Sequence, residues 1–129
     1  MNLIATPDLL YHRDGEWVWR ETKTSGAPLW AGHSLLRSYP QLAVGVLLLA
    51  AGAAGADPGG RIELEHLQED DCALEEIDAG QPDVIEEART VVSELLEPLL
   101  NDVSFFPARP GNACVGCEVL RWCKEGRTQ

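Results

Sequence analysis

A chain of 129 residues has room for one domain built on one modest core rather than for two. Its make-up, 45% hydrophobic and 24% charged, is that of an ordinary globular protein. The net charge of −11, with 10 Lys and Arg against 21 Asp and Glu, argues against strong independent binding to a phosphate backbone.

Any basic surface is therefore expected to be local, or to come from a partner or a missing segment. Met1-Asn2-Leu3-Ile4 lacks the basic region and long apolar run of a signal peptide. The greasiest stretch, residues 42–54, is too short and too rich in Gly and Ala to span a bilayer. A cytoplasmic location and no membrane association are the default expectations.

Residues 2–24 read as two strands around Asp14-Gly15, a pair that tolerates the positive φ of a tight hairpin turn. The run from Glu16 to Lys23 is rich in aromatic and β-branched types suited to a strand. Ser25-Gly26-Ala27-Pro28 breaks it. A helix is expected over residues 34–51, with Ser34 as N-cap and an apolar second half buried against a sheet. A small-residue loop over 52–60 leads to short strands at 61–67 and 72–77. Pro82 opens another helix, whose stripe runs through Val84, Ile85, Ala88, Val91, Val92, Leu95, Leu96 and Leu99, with Pro98 in its last turn. Residues 105–129 form a Pro- and Gly-punctuated tail. The order strand–strand–helix–strand–strand–helix–tail predicts an α/β fold on a mixed sheet, divided into a core at 1–104 and a tail at 105–129.

The hairpin fixes a register. If Arg13 faces Glu16, then His12 faces Trp17, Leu10 faces Trp19 and Asp8 faces Glu21. Residues directly opposite on paired strands share a face, with Cβ atoms about 5 Å apart. Lys23 joins that face because side chains alternate along a strand. Two carboxylates and a lysine on one face suffice for divalent-metal phosphodiester hydrolysis: hard oxygens hold the cation and the lysine stabilises developing charge. The competing reading is a solvated surface with a Glu–Lys contact. A bulge at the turn would separate the acids.

Pro7-Asp8, the hairpin and Glu21-Thr22-Lys23-Thr24 together resemble the PD-(D/E)XK signature, in the form used by RecB-like nucleases. Tyr39-Pro40-Gln41-Leu42 resembles the Tyr/Gln element that follows it, although Gly45 stands where a tyrosine often comes four residues after the glutamine. The resemblance implies a restriction-endonuclease-like core, a mixed β-sheet flanked by helices. It also implies DNA as substrate, Mg²⁺ or Mn²⁺ held by Asp8 and Glu21, Lys23 as catalytic lysine, and Tyr39 and Gln41 as helpers. DNA repair, recombination or defence would be the setting.

Cys114-Val115-Gly116-Cys117 and Cys123 spell C-x2-C-x5-C, a spacing that wraps thiolates around zinc or an iron–sulfur cluster. This tail, with Phe106-Pro107-Ala108-Arg109-Pro110 before it, is similar to the ends of AddB-type nucleases and CRISPR-associated exonucleases. There three cysteines hold a [4Fe–4S] cluster and a fourth comes from upstream of the core. This chain has no cysteine before Asp8; Cys72 is the spare thiol, expected as a buried strand residue. The resemblance spans residues 2–124. It implies that the family's first helix, first strand and leading ligands are absent, which exposes a sheet edge for a partner to cover.

His12, His33 and His66 are isolated from one another, and His33 is expected at the surface. Trp17 and Trp19 alternate on the face of Glu21 and Lys23, where they either stack on bases or, the favoured reading, pack under a helix. Arg109, Arg121, Lys124 and Arg127 form either a local basic patch or solvated surface. Glu63, Glu65, Glu69, Asp70, Asp71, Glu75, Glu76 and Asp78 read as a solvated acidic face. Three functions emerge: a metal-dependent DNA nuclease, a catalytically silent nuclease-like binding or scaffold module, and a small zinc-binding protein unrelated to nucleases.

Overall fold

The computed structural model describes residues 4–24, 34–53, 55, 57–67 and 74–101. The chain divides into two compact units, Met1–Leu96 and Glu97–Gln129. The cysteine tail, Cys72, His33 and the expected boundary at 104/105 all lie outside the described residues.

Strands β1 (Leu9–Arg13) and β2 (Glu16–Lys23) form the expected hairpin. Asp14 and Gly15 take φ of 52° and 86°, the left-handed values that twist a two-residue turn to match its strands. The register is the one derived from the turn: Arg13 faces Glu16, His12 faces Trp17, Leu10 faces Trp19, and the ladder ends at Leu9 opposite Arg20.

The expected helix at 34–51 is two helices, α1 (Leu35–Ser38) and α2 (Pro40–Ala50). The break falls at Tyr39, whose φ of −129° and ψ of 79° are non-helical. Pro40 explains it, since the proline ring clashes with a helical residue before it, while its own missing N–H is harmless in a first turn. Ser34 caps α1 as expected, its hydroxyl accepting from the Arg37 N–H at 3.3 Å.

The α1–α2 crossover returns the chain to β3 (Arg61–His66), which pairs parallel with β2. β4 (Leu74–Asp78) then pairs antiparallel with β3, giving a mixed sheet in the order β1-β2-β3-β4. Helix α3 (Pro82–Leu100) follows. Its stripe buries Ala88, Val91 and Val92 in a core shared with Trp19, Leu42, Val46, Leu49, Ile62 and Leu64. Both tryptophans behave as expected: Trp19 is buried and Trp17 packs partly buried against the same core. Gly45 is explained here. A Cβ on it would lie 3.1 Å from the Trp19 ring and 3.2 Å from Ile62, so glycine lets α2 settle onto the sheet.

The opposite face of the sheet is polar, and it corrects the solvated-face expectation for Glu63. That side chain is fully buried. It accepts from the Tyr11 hydroxyl at 2.7 Å and Arg20 Nε at 2.8 Å, and Arg13 Nη2 lies 2.8 Å from its other oxygen. Arg13 also reaches Glu76 at 3.3 Å. These contacts tie β1, β2 and β4 to β3, because a buried carboxylate is tolerable only when its charge meets cations.

Candidate active site

One step beyond the last β1–β2 pair, Asp8 comes opposite Glu21. The Asp8 carboxylate accepts the backbone N–H of Thr22 at 2.8 Å, which fixes it to the end of β2. Asp8 itself is exposed, whereas Glu21 retains only 6% of its surface.

Burial pushes the Glu21 carboxyl above the usual carboxylate range. The Trp19 indole N–H, donating to Oε1 at 3.0 Å, pulls it back. The Asp8 charge then pushes it up again and the Lys23 ammonium pulls it down.

This donor set fits a hard divalent cation. It is oxygen only, and its like charges repel until something positive sits between them. Among the described residues no group of three or more His, Cys, Asp or Glu side chains gathers, so waters and backbone carbonyls would supply the rest of any shell.

Lys23, the last residue of β2, points to the same face as Glu21, and its Nζ lies 5.7 Å from the centre of the Tyr39 ring. Tyr39 is thus brought to the site by the break between α1 and α2. Gln41 sits half-buried in the first turn of α2. Among the described residues it makes no hydrogen bond to Asp8, Glu21 or Lys23.

Sequence reasoning missed two neighbours. His66 stands opposite Lys23 in the parallel β2–β3 ladder, is 7% exposed, and its Nε2 lies 2.8 Å from Glu75 Oε2. The signal was the alternation Ile62, Leu64, His66, which puts the histidine on the core face of β3. Glu75 was hidden in the acidic run.

A mixed α/β sheet that presents a carboxylate pair and a lysine at the end of an interior strand defines a protein of the restriction-endonuclease-like class. The sequence agrees: residues 1–124 match the PD-(D/E)XK nuclease superfamily, and the chain belongs to that superfamily. A nuclease-type function on DNA goes with that membership, and the reading of a zinc protein unrelated to nucleases falls with it. No curated protein and no solved structure matches the chain. Among the described residues no helix is long and apolar enough to cross a membrane.

Proposed function

We propose that the chain is a Mg²⁺- or Mn²⁺-dependent deoxyribonuclease of the RecB-like branch. The observation that carries this reading is the meeting of Asp8 and Glu21, with Lys23 on the same face, in a chain of this superfamily. Asp8 and Glu21 would hold the cation. When bound, it polarises the phosphoryl oxygen and makes water more acidic. The chain's own contribution is geometric. Trp19 and the Thr22 N–H each hold one oxygen of the pair, which fixes both carboxylates before substrate arrives. Lys23 donates a hydrogen bond to a non-bridging oxygen of the scissile phosphate and stabilises the charge that grows there. Tyr39 and Gln41, at the start of α2, are helpers on the substrate side.

Cys114, Cys117 and Cys123 are assigned to a [4Fe–4S] cluster, with Zn²⁺ as the competing metal and Cys72 or an upstream residue as the fourth ligand. Its role is to staple the chain rather than to react. Iron, zinc and sulfide quantification after anaerobic purification, with an absorption spectrum, separates the two.

The test of the nuclease reading is cleavage of end-labelled linear DNA with Mg²⁺ or Mn²⁺, against an EDTA control. Asp8→Ala and Lys23→Ala are expected to lower the rate by about 10²-fold or more, the scale for removing one transition-state charge contact. Full activity in both variants would refute the site.

A catalytically silent, partner-binding descendant is the second reading. The gathering of only two ligand-grade side chains among the described residues favours it. It predicts no cleavage, no effect of Mg²⁺ on thermal stability, and a stable protein partner.

A further inference from the structure

We propose that His66, anchored by Glu75, is a positioning residue for Lys23, acting through the Tyr39 ring. The inference rests on the catalytic role given to Lys23 above. A lysine is a poor instrument until it is aimed, because its four-carbon stem is flexible and its ammonium is a strongly hydrated point charge. Lys23 is aimed by an aromatic ring: Tyr39 lies 5.7 Å beneath the ammonium, inside the reach of a cation–π contact.

The ring has a support of its own. His66 meets Tyr39 edge-on, with centroids 6.3 Å apart and planes at 61°, a favoured aromatic geometry. It also neighbours Lys23 through the backbone, since the two are partners across the parallel ladder. Lys23, Tyr39 and His66 thus form a closed triangle at the ends of β2 and β3.

Two observations mark His66 as more than core filler. An aliphatic residue would suit a position with 7% exposure, after Ile62 and Leu64 on the same face. Instead the chain places an imidazole there, tethers its Nε2 to Glu75 at 2.8 Å, and leaves Nδ1 shut from solvent with no hydrogen-bond partner among the described residues. Such an orphaned atom costs stability and calls for an explanation. With Nε2 on Glu75 and Nδ1 buried, neither ring nitrogen is offered to a phosphate oxygen. A fixed ring that sets the tilt of Tyr39 accounts for an imidazole at this position.

Lys23 and Lys124 are the only lysines in the chain, which makes the test clean. Reductive ¹³C-methylation of the full chain gives one NMR signal for each lysine and one for the amino terminus, and Lys23→Arg assigns the Lys23 signal. That signal is expected to be displaced by the Tyr39 ring current, and to move towards the Lys124 position in Tyr39→Leu and in His66→Ala. Glu75→Ala, at a half-exposed side chain that the fold tolerates, is expected to move it the same way by less. In cleavage assays His66→Ala is expected to lower kcat about tenfold with KM within about twofold, the mark of misplacement rather than lost binding. Adding His66→Ala to Tyr39→Leu should cost nothing further.

An unmoved Lys23 signal in folded His66→Ala overturns the proposal. Should that variant not fold, an unmoved signal in Glu75→Ala overturns it equally. Failure of the nuclease reading looks different: wild-type chain that does not cleave, or Lys23→Ala that does. The lysine signal decides the positioning in either case.

Discussion

Replacing Glu63 with alanine tests whether the polar face of the sheet holds the hairpin, and with it Asp8, in register. The carboxylate is fully buried and meets Tyr11, Arg20 and Arg13. Hydrogen bonds to a charged group contribute about 1.5–3 kcal/mol each. Arg13, with 41% of its side chain exposed, is screened by solvent and is counted as negligible. Tyr11 and Arg20 remain, for a loss of about 3–5 kcal/mol, the range for breaking a buried ion pair. At roughly 4 °C per kcal/mol, the value where the ranges for smaller and larger domains meet, the thermal midpoint at pH 7 should fall by about 12–20 °C. Circular dichroism melts measure it. Glu63→Gln should lose less, because an amide still accepts from Tyr11. The pH dependence has a definite sign. Burial raises the Glu63 carboxyl, but the Tyr11 and Arg20 hydrogen bonds and the two guanidinium charges outweigh it and hold it below the usual range. Its contribution is therefore complete above the ordinary carboxylate pKa and is lost as pH falls through the depressed one. The gap between wild type and Glu63→Gln should close in acid. A loss under ~1 kcal/mol in Glu63→Ala, or a gap that ignores pH, would refute the reasoning.

Glu21 has the opposite sign, since its carboxyl is pushed up by burial and by Asp8. Any stability it lends is present at low pH and lost as pH rises through the raised value, so Glu21→Gln in EDTA should melt a few degrees above wild type at pH 8 and level with it near pH 4, while losing cleavage. Trp19→Phe removes the N–H that holds Glu21 down, so the acid limb of the cleavage–pH profile should move to higher pH; an unmoved limb counts against Glu21 as the titrating group. Gly45→Tyr should destabilise by about 1–3 kcal/mol or more in urea melts, because Trp19 and Ile62 already occupy the space.

The hairpin was legible because its information is local. Asp14-Gly15 names the turn, the turn names the register, and alternation then puts Asp8, Glu21 and Lys23 on one face. The break at Tyr39 was also legible in principle, from Pro40, but the apolar run of the following residues masked it. What stayed hidden depends on which strand lies beside which. No local pattern says that β3 runs parallel to β2, and that pairing alone sets His66 against Lys23. Glu63 is the same case. Its spacing looked like a solvated acidic run, and its burial is decided by arginines arriving from β1 and β2. The cysteine motif, strong as a pattern, lies outside the described residues.

Arg20 and Glu21 are chain neighbours that point to opposite faces, and between them they explain how the sheet tolerates its site. On Glu21's side, burial and the Asp8 charge both disfavour the charged carboxyl, an arrangement that opposes folding at neutral pH. On Arg20's side, two guanidiniums and a phenol converge on one buried carboxylate, an arrangement that favours folding at neutral pH. Because strand side chains alternate, β2 carries one member of the opposed pair and part of its counterweight with no intervening structure. The same division bears on the net charge of −11. Glu16, Glu63, Glu65 and Glu76 face Arg13, Arg20 and Arg61 on the polar side, so much of the acidity there is already paired. What a phosphate backbone would meet at the candidate site is the local balance of Asp8, Glu21 and Lys23. A divalent cation held there would turn that balance from repulsive to attractive, so the total charge of the chain is a poor guide to whether this site accepts DNA.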